Sequence, residues 1–148
     1  MGTKILDLAD PYHKMSKSSS NEKGVIRMLD DLDAIRKKIM GAVTDSDSTV
    51  KFDMESKPGI SNLINIYSSV TGDSIEEVEN KFADSNYGEF KRAVVEVVTA
   101  EIGKIQEKYY KILDSDELDM ILDNGISVTR KITKAKYELM RDKIGLGG

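Results

Sequence analysis

The chain has 148 residues, 39% of them hydrophobic, with no cysteine, a single histidine and a net charge of −4. That length suits one domain with a real core, and the composition is that of a soluble globular protein rather than a disordered or membrane one. Disulfides, thiolate metal sites and histidine-rich metal sites are excluded, so no metal ligand is named. No run of about 18 apolar residues exists to span a bilayer. The N-terminus lacks the apolar stretch of a secretory signal, and a cytoplasmic location is expected.

In chain order, Lys4-Ile-Leu-Asp-Leu8 reads as a short apolar strand. Asp10-Pro11 stops it, because proline removes a donor and biases the residue before it away from helix. A single strand there has nothing to pair with, so it reads as the last piece of something larger. His13 to Lys23 is polar, serine-rich and without apolar periodicity, which makes it an exposed loop. Within it stands Lys14-Met15-Ser16-Lys17-Ser18. Two lysines three apart on a polar loop can set two ammonium groups against one polyphosphate, and the serines add hydroxyl donors and acceptors. Most lysine- and serine-rich loops bind nothing. An ordered five-residue word, however, arises by chance in a chain of this size roughly once in ten thousand.

Val25 to Leu29 reads as another short strand or an extended arm. Asp31 to Ala42 reads as a helix with Leu32, Ile35, Ile39 and Val43 on its apolar side. Thr44 to Asp53 is polar and turn-rich. Pro58-Gly59 opens the next helix, whose buried stripe is Ile60, Leu63, Ile64, Tyr67 and Val70, and Gly72 ends it. Ser74 and Glu77 form a capping box for a short helix to about Ala83. Asn86-Tyr87-Gly88 breaks the chain. From Glu89 to about Leu113 the apolar residues Phe90, Val94, Val97, Ile102, Ile105, Tyr109 and Ile112 mark a long amphipathic helix. A second capping box, Asp114 to Glu117, introduces a fifth helix with apolar positions from Leu118 to Leu139. The fold class expected is therefore mainly α: a bundle of about five helices behind a short N-terminal strand and loop.

Charge is unevenly spread. Residues 126–148 sum to +4 through Arg130, Lys131, Lys134, Lys136, Arg141 and Lys143 against Glu138 and Asp142. Residues 1–25 sum to +1, which leaves −9 for the middle. Two readings of the basic end stand side by side: local attraction for a polyanion, or a solvated face balancing an acidic body.

The five-residue word is the KMSKS signature of class I aminoacyl-tRNA synthetases. Placed between a strand and a helical bundle, it makes the chain resemble the C-terminal part of the tryptophanyl-tRNA synthetase family. The stretches that carry the resemblance are Asp10-Pro11, Gly24-Val-Ile-Arg-Met-Leu-Asp-Asp31, Ile39 to Ser46, Lys57-Pro-Gly-Ile-Ser-Asn-Leu63 and Tyr87-Gly-Glu-Phe-Lys91. The family often continues its loop with Asp-Pro-Asn, where this chain has Ser19-Ser20-Asn21.

The resemblance implies a Rossmann catalytic domain before Thr3, of which residues 1–25 are the terminal strand and loop. It makes residues 26–148 a helical, anticodon-binding-like domain. It implies ATP-dependent activation of tryptophan and its transfer to tRNA(Trp), with Mg2+ accompanying ATP and a homodimeric parent. Lys14 and Lys17 would be catalytic, contacting the β- and γ-phosphates. Met15 and Ser16 would lie near the nucleotide, Ser18 would shape the loop, and Ile5 matches a position that packs on adenine, an ordinary sheet residue being the other reading. Such a piece is expected to be inactive and monomeric alone. A competing expectation from another class is a separate helical RNA- or protein-binding module in which the loop is a relic.

Overall fold

The computed structural model describes residues 3–114, over which the chain is mainly helical. A single 3-10 turn, Glu22–Gly24, precedes α1 (Leu32–Met40), α2 (Pro58–Thr71), α3 (Ile75–Lys81) and α4 (Tyr87–Leu113). The fifth helix expected from the sequence and the basic stretch after Ile126 fall outside the described residues.

The centre of the fold is α2. Every residue from Pro58 to Tyr67 is buried, so this helix is enclosed rather than amphipathic. Gly72 closes it at φ 83°, a left-handed conformation that glycine adopts without strain. α4 packs against both α1 and α2, and α3 packs against α2. Tyr67, Phe82 and Phe90 meet in a cluster with ring centroids 4.8–6.0 Å apart. Such aromatic packing adds to plain area burial.

Helix ends follow local chemistry. The Ser74–Glu77 capping box forms in both directions, and α3 stops at Lys81, two residues short of the expected Ala83. α4 begins at Tyr87 rather than Glu89, because Asn86 and Glu89 make a second capping box. Its buried stripe includes Phe90, Val94, Ile102 and Ile105, and also Val95 and Val98. Val97 is only half-buried. In α1, Ile35 and Ile39 are fully buried, whereas Val43 is exposed because the helix has already ended at Met40.

Residues 25–27 are irregular backbone and not a strand, and the chain turns over 27–30, where Asp30 N donates to Arg27 O at 3.1 Å. Lys38 Nζ donates to Val25 O and to Asp30 Oδ2, both at 2.7 Å. Gln106 Nε2 donates to Met28 O and Asp30 O, both at 2.8 Å. The carbonyls of Val25, Met28 and Asp30 are thus satisfied by side chains from α1 and α4.

No sheet forms among the described residues. Residues 4–8 do find a partner, contrary to the expectation of an unpaired strand. The chain reverses at Asp10–Tyr12, and Leu6 forms an isolated antiparallel bridge with Lys14. Ile5, Leu8, Met15, Val25 and Ile26 join the same buried cluster as Ile60, Leu63 and Phe90.

Candidate functional site

The loop that carries Lys14 and Lys17 grows from one short backbone segment and returns to it. On the outgoing side Asp7 N donates to His13 O at 2.8 Å and Met15 N to Ile5 O at 3.2 Å. On the returning side Leu8 N donates to Gly24 O at 2.9 Å. Residues 5–8 therefore hold both feet of the loop.

The turn before it is fixed by carboxylates. Asp7 is buried, and its Oδ1 accepts from Ala9 N at 2.8 Å and Asp10 N at 3.1 Å. Asp10 accepts from Tyr12 N at 3.2 Å and lies 2.8 Å from His13 Nδ1. Gly24 leaves room for the Asp7 carboxylate: a Cβ there would fall 1.6 Å from Asp7 Oδ1.

The loop itself alternates anchors and tips. Ile5 and Met15 are buried, at 5% and 8% exposure, while Lys14, Lys17 and Ser18 are exposed and Ser16 is half-buried. Ser19 N donates to Ser16 O at 3.1 Å, so Lys17 and Ser18 occupy the corner of a tight turn. Ser16 Oγ and Ser18 Oγ lie 3.0 Å apart. The structure brings the six expected residues onto one loop and its anchoring segment, with two ammonium-bearing side chains at the surface. Such a pair can meet a polyphosphate as flexible point charges.

The far side of residues 5–8 faces α2. Leu6 and Lys14 are a pair without hydrogen bonds of their own, so Leu6's amide and carbonyl point away from the loop. Asn62 on α2 satisfies both: its Oδ1 accepts from Leu6 N at 2.8 Å and its Nδ2 donates to Leu6 O at 2.9 Å. Asn62 is 1% exposed. Beside it Ser61 Oγ accepts from Asp53 N at 2.8 Å, and Val43 N donates to Leu8 O at 2.8 Å. Asp7, Gly24, Val43 and Asn62 are the parts of this arrangement that sequence reasoning missed.

A family model described as tRNA synthetases class I (W and Y) matches residues 1–102. The chain belongs to that family. It is similar to the tryptophan–tRNA ligase of Halalkalibacterium halodurans, 49% identical over 147 residues covering 99% of this chain and 44% of that protein. Among solved structures it is similar to tryptophanyl-tRNA synthetase from Mycoplasma pneumoniae, with TM-score 0.68 and 30% identity over 97% of this chain and 45% of that one. It is also similar to the Campylobacter jejuni enzyme complexed with ADP and tryptophan, with TM-score 0.62 and 28% identity over 97% of this chain and 44% of that one. The chain thus spans under half the length of these relatives. A similarity that runs along nearly the whole chain does not favour the reading as a separate binding module. Among the described residues no helix is long and apolar enough to cross a membrane.

Proposed function

We propose that the chain supplies the ATP-phosphate loop and a helical tRNA-binding domain to a cytoplasmic tryptophan–tRNA ligase. The observation that carries this reading is the placement of Lys14 and Lys17. Both are exposed on a loop whose two feet are bonded to one buried segment, in a chain of synthetase family.

The whole protein would use ATP, tryptophan and tRNA(Trp), with Mg2+ travelling on the ATP phosphates. In activation, the tryptophan carboxylate attacks the α-phosphorus, a new P–O bond forms, and the bond to pyrophosphate breaks. Negative charge builds on the leaving pyrophosphate. Cations placed for that state lower its energy more than that of bound ATP, which is what raises the rate. Lys14 and Lys17 contact the β- and γ-phosphates, and Lys17, at the turn corner, serves the transition state. Met15 and Ser16 lie near the nucleotide, Ile5 packs toward adenine, and Ser18 shapes the turn. Residues 1–25 belong with the catalytic domain and residues 26–148 with the tRNA-binding one. The basic residues Arg130, Lys131, Lys134 and Lys136 meet tRNA phosphates. The intact enzyme is a homodimer, and this chain alone is an inactive monomer.

The test is Lys17→Ala in the intact synthetase. Tryptophan-dependent exchange of pyrophosphate into ATP should fall about 10²- to 10³-fold, with a smaller effect on tryptophan binding. An unchanged exchange rate would remove the loop from the mechanism.

A further inference from the structure

Residues 5–8 form a strip with two working edges. Ile5 O and Asp7 N bond the outgoing side of the loop, Leu8 N bonds its returning foot, and Leu6 N, Leu6 O and Leu8 O turn to the bundle side. At the centre of the bundle edge stands Asn62, which does for Leu6 what a neighbouring strand would do. A neutral carboxamide carries a donor and an acceptor together, and no apolar side chain can replace it there. Asn62 rides on α2, which is buried from Pro58 to Tyr67 and so moves only with the bundle.

We infer that Asn62 is a positioning residue for the Lys14–Ser18 loop: through Leu6 it sets where the two lysines stand relative to the helical bundle. The inference rests on the reading of that loop as the ATP-phosphate site. A displacement of Leu6 is passed across its bridge to Lys14, and through Ile5 O to Met15 N. Transition-state contacts depend steeply on such placement: an error of about 1 Å is worth about 10²-fold in rate.

The test uses Asn62→Leu in the intact synthetase. Leucine fills the space but leaves Leu6 N–H and Leu6 O both unpaired. Exchange rate, normalised to titrated active sites, should fall about 10²-fold while the KM for tryptophan holds. In a background lacking both loop lysines, Lys14→Ala with Lys17→Ala, the same change should add less than about twofold, because the groups it places are gone. A general structural defect would multiply with the lysine changes instead. Full multiplicativity, or a silent Asn62→Leu, overturns the inference while leaving the loop assignment intact. A silent Lys17→Ala overturns the loop assignment itself. Amide exchange on the unmodified protein decides independently of whether the variant folds. Leu6 N–H should be protected as deeply as the amides of α2, and exchange at the rate of the loop tip overturns the clamp.

Discussion

Gly59→Ala is the sharpest test of how the loop segment, α2 and the 43–44 turn fit together. Gly59 is the second residue of α2, where alanine ordinarily favours a helix over glycine by roughly 0.5–1 kcal/mol. Here a Cβ would lie 2.0 Å from Val43 O and 3.1 Å from Thr44 Cα, both backbone atoms. Reaching the shortest contact real Cβ atoms make requires opening the gap by about 1 Å. Val43 cannot simply recede, since its amide is bonded to Leu8 O at 2.8 Å. If α2 recedes instead, Asn62 leaves Leu6, and bonds of 2.8 and 2.9 Å stretch beyond useful length. Overpacking costs about 1–3 kcal/mol, and a buried polar group left unpaired costs about 1–3 kcal/mol more. The net loss, after the helix gain, is about 3–4 kcal/mol out of a total near 5–15. At roughly 3 °C per kcal/mol, Tm should drop by about 10 °C in far-UV circular dichroism melts. Gly103→Ala is the control. Its Cβ would meet only Leu32 Cδ1 at 3.7 Å, an ordinary contact, so α4 should gain about 0.5–1 kcal/mol. A Gly59→Ala protein that melts at or above the unmodified one refutes the close-approach argument.

Asn86→Ala removes the acceptor for Glu89 N at 2.9 Å and should lower stability by about 1 kcal/mol in urea titrations. A loss of only a few tenths would mean that the cap is idle. Asp47 is ion-paired with Lys57, and hydrogen bonds from Lys57 first and then from Thr49 lower the Asp47 carboxyl from 3.8 to about 2. Its stabilisation is therefore complete above about pH 4 and lost as pH falls through about 2. Asp47→Asn should flatten the loss of stability across that window, and an unchanged acid limb would show that the pair contributes nothing. Titrated calorimetrically with ATP, the 148-residue chain should bind more weakly than about 1 mM. Micromolar binding would mean that the chain alone holds a complete nucleotide pocket.

What the sequence disclosed was local. Proline at the start of α2 and glycine at its end, the Ser74–Glu77 pair and the long apolar spacing of α4 each act within a turn or two, so each could be read directly. Asn86 escaped because Asn-Tyr-Gly looks like a chain breaker, although Glu89 three residues on was the signal of a cap. Val95 and Val98 escaped because α4 touches two helices, which widens its buried stripe beyond one face. Lys14 and Lys17 were legible as a word. Their supports were not: Leu6 and Asn62 are 56 positions apart, and no periodicity links them. The only clue was compositional, in three buried polar residues, Ser61, Asn62 and Asn65, set among the apolar residues of α2.

Of these, Asn62 explains how a strand-like segment can exist where the described residues form no sheet. A leucine at position 62 would suit an enclosed helix better by burial alone, but it would strand the amide and carbonyl of Leu6 in a dry interior. The side-chain amide does for Leu6 what a neighbouring strand would do. The loop's feet at Met15 and Gly24 are held by backbone bonds to residues 5–8 and by burial. At its tip Ser16 Oγ lies 3.0 Å from Ser18 Oγ, and Asn21 N donates to Ser19 Oγ at 3.3 Å. On the proposed function, feet fixed in this way set where Lys14 and Lys17 offer charge to the phosphates as the bond to pyrophosphate breaks.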